Sequence, residues 1–482
     1  MILSQNTFKM LFAPACRQAG LAFSVLLLAL NTGCKKLVTV GPPSTSLVTT
    51  SVFNNDANAI AAQLGVYANL NQSGYEATTG VSSDEMTSFA TDQTDADIYH
   101  NNLNAQNEAG AFFWSSLYTY IYQENAILEN AAASTGMSSR VKQLQTGEAL
   151  FMRAWFYFQL VNMYGDVPLV LSTDYTKTSI LPRTPVANVY QQMITDLTTA
   201  QGLLSPTYID GADNTGSTDR VRPTTWAADA LLARVYLYKG DYANAAKQAS
   251  LVIANSGYSL LSTANINNVF KMNSSEAIWQ LMPPSTQLYT NEGQFFILKG
   301  PPFSSGGLNG GITISPQLLA AFEPNDARKT NWIGTFVSGG VTYYFPYKYK
   351  ASNTATSLTE YSMVLRLAEQ YLIRAEAEAN NSDPSDAVND LNMIRNRAGL
   401  PNYLGATDVV SLNTAIMHER QVELFTEEHR WFDLKRTKTI DAVMGVVTPQ
   451  KGGGSWNSFQ QLYPLLVTDL QFNPNLVQNP GY

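Results

Sequence analysis

TTWAADALLARVYLYKGDYANAAKQASLVIA, residues 224–254, is the stretch that decides the fold. Pro223 and Thr224 give a helix start signal, and Leu232 and Tyr236, four apart, fall on one face. Lys239-Gly240-Asp241 breaks the pattern as a turn, after which Tyr242, Ala246, Ala249 and Ile253 line a returning helix. The same grammar returns over 361–398. Leu365, Ala368, Leu372, Ala375 and Ala379 make one face, and Asp383-Pro384 supplies an N-cap with proline in the first turn. Ala387, Leu391 and Ile394 make the second face, and Gly399 closes it.

Small alanines where the helices touch, a tyrosine after the turn and a length near 34 residues resemble tetratricopeptide units. The two hairpins are degenerate and far apart in sequence, so the spacing predicts separate helical pairs in one large body rather than a clean solenoid. Upstream, the 3.6-residue period predicts helices over 56–71 (Ile60, Leu64, Tyr67, Leu70), 111–132 (Trp114, Leu117, Tyr118, Ile121, Ile127) and 140–164 (Leu144, Phe151, Trp155, Phe158, Val161, Tyr164). Gly165-Asp166-Val167-Pro168 ends the last of these. Segments 73–110, 256–360 and 445–482 are rich in Gly, Pro, Asn and Ser and read as loops, with short strands such as Val341–Phe345. The fold class is therefore mainly α, with long loop-rich insertions. Trp114, Trp155, Trp226, Trp279 and Trp431 lie in periodic segments and are expected in the core.

Working outward to the ends, Leu21–Leu30 (LAFSVLLLAL) is the most apolar run of the 482 residues, and it is too short to span a bilayer as a helix. Lys9 and Arg17 precede it and Asn31-Thr32-Gly33-Cys34 follows, the layout of an export signal that resembles that of bacterial lipoproteins. Residues 1–33 are read as the signal, Cys34 as the lipidated residue and 34–54 as a Pro/Ser/Thr-rich tether. The body then divides into 55–255 and 256–482, packed as one unit. The other cysteine, Cys16, lies inside the signal, so the mature chain offers no disulfide. With a net charge of −8 and no basic run longer than two, a nucleic-acid partner is not expected.

Catalytic patterns are scarce. His418-Glu419-Arg420-Gln421-Val422 lacks the second histidine of a zinc-protease helix, and no P-loop, Gly-x-Ser-x-Gly or dinucleotide fingerprint occurs. His100, His418 and His429 are read as structural. Asp92, Asp95 and Asp97 make an acidic loop in which calcium is conceivable, without the Gly and closing Glu of an EF-hand. Glu419, Glu423, Glu427, Glu428 and Asp433 are the nearest thing to an acid/base site. Arg420, Arg430, Lys435 and Arg436 interleave with them, read as one helix, and a cation beside each carboxylate would lower its pKa, against the need of a general acid. An ion-pair network is expected instead.

Five segments, in order, carry a family resemblance. They are Gly147–Phe158 running on to Tyr164-Gly165-Asp166-Val167-Pro168, Arg366–Ala377, Ile394–Leu400, Glu419–Leu424 with His429–Arg436, and the closing Asn479-Pro480-Gly481-Tyr482. This set resembles the RagB/SusD family of outer-membrane nutrient-binding lipoproteins of Bacteroidetes. The resemblance implies a largely helical, tetratricopeptide-like fold. It also implies a non-enzymatic cell-surface lipoprotein that captures oligosaccharides, or sometimes peptides, and serves a TonB-dependent transporter in the outer membrane. No cofactor is implied, and a surface hydrolase or an assembly scaffold stays open as a reading of the residues. Sugars need exposed aromatic faces flanked by polar side chains. Composition offers Tyr75, Asp84, Tyr99 and Asn101 in 73–110, then Tyr289, Asn291, Phe303, Trp332 and Tyr344 in 256–360, and Trp456 beside three glycines.

Overall fold

The computed structural model describes residues 52–482 except 71–73, 107–110, 303–307 and 309–310, with the backbone alone at 111 and 112. The signal, Cys34, the tether up to Ser51 and Phe303 lie outside the described residues. In chain order the longer elements are α1 (Asp56–Leu70), α2 (Tyr75–Ser82), β1 (Met86–Ser88), α3 (Gln93–Tyr99), α4 (Ala111–Ala133), α5 (Ser139–Tyr164), α6 (Val186–Leu203), α7 (Thr225–Lys239), α8 (Tyr242–Ile253) and β2 (Ala277–Leu281). They continue with α9 (Asn291–Phe296), β3 (Ile312–Ile314), α10 (Pro316–Ala321), α11 (Ala327–Trp332), β4 (Ile333–Ser338), β5 (Val341–Pro346) and β6 (Ser362–Arg366). The chain ends through α12 (Leu367–Asn380), α13 (Pro384–Arg397), α14 (Val409–Glu423), α15 (His429–Arg436), α16 (Ile440–Gln450) and α17 (Val467–Phe472).

Both hairpins form as their sequences dictate. Gly240 takes φ 78° at the end of α7, and the Asp241 side chain then accepts the Asn244 N–H to start α8. Asp383 caps α13 through the Asp386 N–H, with Pro384 in the first turn, and Gly399 closes it at φ 79°. Far apart in sequence, the hairpins are neighbours in space, because α8 packs on α12. Adjacent packing runs α4, α5, α6, α7, α8, α12, α13, α14, a continuous stack of helices rather than the separate pairs the sequence spacing predicts. Alanine makes the join possible: Ala245 and Ala249 of α8 and Ala377 of α12 are buried in one cluster with Ile373. Buried ion pairs cross the same seams, Arg234–Glu369 at 2.7 Å between α7 and α12 and Arg153–Asp196 at 2.7 Å between α5 and α6.

The core is centred on α5. Every residue from Gly147 to Tyr164 is buried, so this helix is enclosed on all sides instead of showing a wet face. Its aromatic run packs Phe151 edge-on against Trp279 (5.0 Å between ring centres) and Phe158 edge-on against Tyr238 (4.9 Å). Trp114, Trp155, Trp279 and Trp431 are buried as expected; Trp226 is half-buried at the edge, with its N–H donated to the Pro206 carbonyl at 3.0 Å. The described residues Val52–Tyr482 make one compact unit.

Four sequence readings need correction. Leu365 belongs to strand β6, paired antiparallel with β2 (Trp279 opposite Leu365), and the helix begins only after Arg366, whose backbone is extended. The segment 73–110 holds α2, β1 and α3 rather than a loop. The acidic group at 92–97 is a capped helix: Asp92 accepts the Thr94 and Asp95 N–H groups, and Asp97 accepts from Gln93 at 2.7 Å. Residues 419–436 are two helices, not one. The chain turns between α14 and α15, with Thr426 at φ 64° and Glu428 at φ 66°. The straight period assumed there fails because two residues in the left-handed region reset the helix direction.

Candidate functional site

Aromatic side chains reach solvent together where β1, β3 and the β4–β5 hairpin meet. β1 pairs antiparallel with β3 (Ser88 opposite Ile312), and the Phe89 N–H extends the ladder to the Gly311 carbonyl at 2.8 Å. β3 lies beside β5, which pairs with β4 so that Phe336 stands opposite Tyr343. Period-two alternation then puts Phe336 and Tyr343 on one side of the hairpin and Thr335 and Tyr344 on the other. Gly339 and Gly340, at φ 58° and 79°, make the two-residue turn that sets this register. Phe89 is 37% exposed and meets the Tyr343 ring edge-on at 6.3 Å. Phe336 and Tyr343 are half-buried. Polar groups border this face. Asp92 caps α3 beside it, and burial, with Asp92 adding to it, raises the Asp95 carboxyl above its ordinary range.

The face is fixed from beneath. Arg430 holds both oxygens of Asp84 at 2.7 Å, and Gln421 donates to Asp84 at 3.4 Å. The Ser315 hydroxyl donates to the Asp84 carbonyl and its N–H to the Glu85 carbonyl. Lys451 donates to the carbonyls of Val81, Ser82 and Ser83, and Asn101 to Ser82 at 2.9 Å. A strand whose preceding turn is held this tightly can present aromatic rings to water without collapsing onto them.

The candidates from sequence divide accordingly. Tyr75 is buried against Phe113 (4.7 Å) and shares a hydrogen bond with Ser116 at 3.0 Å, so it is core. Asp84 and Asn101 are buried and belong to the support; Asn101, at φ 54°, also accepts from Thr448 at 2.9 Å. Trp332 is fully buried, its N–H donated to the Ile266 carbonyl at 3.2 Å, because it ends a helix turned inward rather than lying in a loop. These four are corrected from ligand contacts to scaffold. Tyr99 is half-buried with the Lys451 ammonium 5.0 Å from its ring centre. Trp456 donates to Asp441 at 2.8 Å and packs on Trp431. Tyr289 and Asn291 are half-buried, and Tyr344 is 37% exposed on the opposite side of the hairpin. Sequence reading missed Phe89, Phe336 and Tyr343. The available signal was Phe89 alone in the polar run Thr87–Asp95, and the alternation Thr335-Phe336-Val337 closed by Gly339-Gly340.

The acidic segment behaves as an ion-pair network, with one exception. Glu423 meets Arg366 at 2.5 Å, Arg328 at 2.9 Å and Arg397, and these guanidinium groups hold its carboxyl far below the usual range despite burial. Glu427 pairs with Arg366 and Lys348, and Asp433 with Arg420 and Arg436; both are held low in the same way. Glu428 departs from the expected pattern. Burial pushes it up to about 7, outweighing Arg234 and a hydrogen bond from Gln159 at 2.6 Å. Burial, with Arg234 and Arg420 adding to it, lowers the pKa of His429 well below the ordinary value; His418 contacts the Ala321 carbonyl at 2.8 Å.

Among the described residues no helix is long and apolar enough to cross a membrane. Residues 41–237 match a family described as "Starch-binding associating with outer membrane", and 320–482 match the SusD family. The chain is 27% identical over 437 residues to SusD-like protein P2 of Formosa agariphila, covering 79% of this chain and 83% of that one. It is 32% identical over 130 residues to the starch-binding protein SusD of Bacteroides thetaiotaomicron, which covers 25% of this chain and 21% of that one. Among solved structures, a laminarin-binding SusD-like protein superposes with TM-score 0.73 at 24% identity, over 89% of this chain and all of the other. Both ends of the body match by sequence and nearly all of it by fold, and the chain belongs to the SusD/RagB family.

Proposed function

We propose that this chain is a cell-surface lipoprotein, anchored through Cys34, that captures oligosaccharides and passes them to a TonB-dependent transporter of the outer membrane, making and breaking no bond. The observation that carries the reading is the aromatic face of exposed Phe89 and half-buried Phe336 and Tyr343, fixed to a buried support. Sugar rings offer C–H faces to such rings and hydroxyls to a polar border. Relatives described as starch-binding and laminarin-binding support glycans as the ligand class.

Calorimetry of the purified body against neutral oligosaccharides, maltohexaose and laminarihexaose first, tests the reading. A binding oligosaccharide should lose about tenfold in affinity, about 1.4 kcal/mol, in Phe89→Ala and again in Tyr343→Ala. Unchanged affinity in both would place the ligand elsewhere. Release of shorter sugars on long incubation would contradict a pure binder, and loss of membrane association in Cys34→Ala tests the anchor.

A further inference from the structure

Where α2, α9, β6 and the turn before α15 come together lies a small cavity of about 30 Å³, enough for about two waters. Its walls bring together carboxyl groups from three elements: Glu76 of α2, Glu292 of α9 and Glu428 of the turn before α15. Ser362 donates to Glu292 at 2.8 Å, Thr290 and the buried Tyr349 hydroxyl also hydrogen-bond Glu292, and Gln159 donates to Glu428 at 2.6 Å, but among the described residues no salt bridge reaches any of the three. The charged neighbours are already engaged. Arg234 on the wall is held by Glu369 at 2.7 Å through two hydrogen bonds, and Glu427 is paired with Lys348 and Arg366. His429, next in the chain, has its pKa lowered, chiefly by burial.

Two further observations mark the cavity. The indole N–H of Trp155, a residue 97% buried on its wall, has no acceptor among the described residues, and a buried donor of that kind calls for water. Glu428 reaches the cavity from φ 66°, a left-handed conformation that costs a non-glycine residue on the order of 1 kcal/mol. Three carboxylates cannot share a water-sized space as anions without a counter-charge, and their oxygens do not converge as the ligands of one ion do.

We propose that this cavity is a proton-held joint: with its carboxyl groups protonated around ordered water it locks α2, α9 and the 424–428 turn together, and when they ionise the three elements part and the aromatic face loosens. The route is short, because α2 packs on β1 and on α15, and α9 packs on α2 and β3. The effect on capture rests on the oligosaccharide reading above; the joint itself does not. Glu76, Glu292 and Glu428 all have raised carboxyl pKa values, with burial the leading cause; repulsion from Glu292 adds to it at Glu76 and Glu428, while hydrogen bonds partly offset it at Glu292. A raised folded value means that stability is full below the unfolded value and is lost as pH rises through the folded one, near 7 for Glu428.

Thermal unfolding at about pH 5.5 and about pH 7.5 tests the joint, with a fall in Tm on the order of 3 °C expected in the wild-type chain. Glu428→Gln and Glu292→Gln should each remove a large part of that fall. Other raised carboxyls, Glu85 among them, are common to all three proteins and cancel in the comparison. Hydrogen exchange should show residues 75–88 and 291–302 opening faster at the higher pH in the wild type and not in Glu428→Gln. Equal pH slopes in wild type and both variants would overturn the proposal. So would millimolar calcium restoring the wild-type Tm at the higher pH but not that of Glu292→Gln, since the cavity would then hold a cation. A difference in slope that persists while no oligosaccharide binds at either pH would support the joint and count against the capture reading alone.

Discussion

Glu423 and Glu428 are five residues apart, both have enclosed carboxyl groups, and the fold treats them oppositely. Three arginines from three other elements converge on Glu423: Arg328 of α11, Arg366 at the end of β6 and Arg397 of α13. Glu428 receives one amide and looks across a cavity at two more acids. The difference teaches that a carboxylate's role is set by what distant elements deliver, not by the charges beside it in the chain. In sequence Arg430, Lys435 and Arg436 stand near Glu428, but the turn at 424–428 sends them elsewhere. Arg430 goes to Asp84, Arg436 to Glu376 and Asp433, and Lys435 to the Asn162 carbonyl.

The largest way to break the comparison is to make Glu423 resemble Glu428. Arg366→Ala leaves Glu423 and Glu427 each short of a buried guanidinium, and removing one partner of a buried ionic cluster costs about 3–5 kcal/mol. The urea midpoint should fall accordingly, and Arg366→Lys should recover only part of it, since one ammonium cannot reproduce the hydrogen bonds made by Nε, Nη1 and Nη2. A loss below about 1 kcal/mol would mean the network is far better solvated than its burial implies.

Next in size is Asp84→Ala, which strands Arg430, the cation drawn away from the turn. A cost of about 2–3 kcal/mol is expected, because a charged hydrogen-bonded pair is lost at a site only slightly open to water. Since Asp84 also anchors the turn into β1, affinity for any bound oligosaccharide should fall together with stability. Phe89→Ala should lower affinity alone.

The two carboxyls also give the stability profile two opposite limbs. Glu423 is held below its ordinary range, so its contribution is present above the unfolded value and is lost as pH falls through the folded one. Glu428 acts in reverse, losing stability as pH rises through about 7. Unfolding followed from acid to mildly alkaline pH should therefore show a maximum on the acid side of neutral, with Glu428→Gln flattening only the upper limb. A maximum at or above about pH 8 would contradict the pairing of the two groups.

What could be read from the sequence follows the same division. Helix period, caps and turn glycines are local, so α1, α4, α5 and the first hairpin were legible to within a residue or two, down to Gly240, and the second hairpin from its Asp383 cap onward, though not its start. The stacking of α8 on α12 was not, because no local signal links segments more than a hundred residues apart. α6 went unread although its Val189, Met193, Leu197 and Ala200 are spaced for one face and buried there. Trp332 and Tyr75 were misplaced for one reason: loop-like composition around a large ring does not say whether the chain turns inward. Phe89 and Tyr343 meet only because β3 brings segments 250 residues apart side by side, a pairing no spacing rule contains.

The smallest effect is the most discriminating. Glu428→Gly removes the left-handed strain and the third carboxyl of the cavity together. Relief of the backbone is worth on the order of 1 kcal/mol, and the extra freedom glycine gives the unfolded chain takes back roughly 0.5–1 kcal/mol. At about pH 5.5, where the carboxyl is protonated, the variant should match the wild type within about 0.5 kcal/mol. At about pH 7.5 it should be the more stable of the two, because the wild type must then either bury the charge or open the joint. Glu428→Gln keeps the strain and loses the charge, so the gap between the two variants should stay constant across that range while both pull away from the wild type. A gap that changes with pH would mean that the backbone at 428, and not its carboxyl, is what the proton controls.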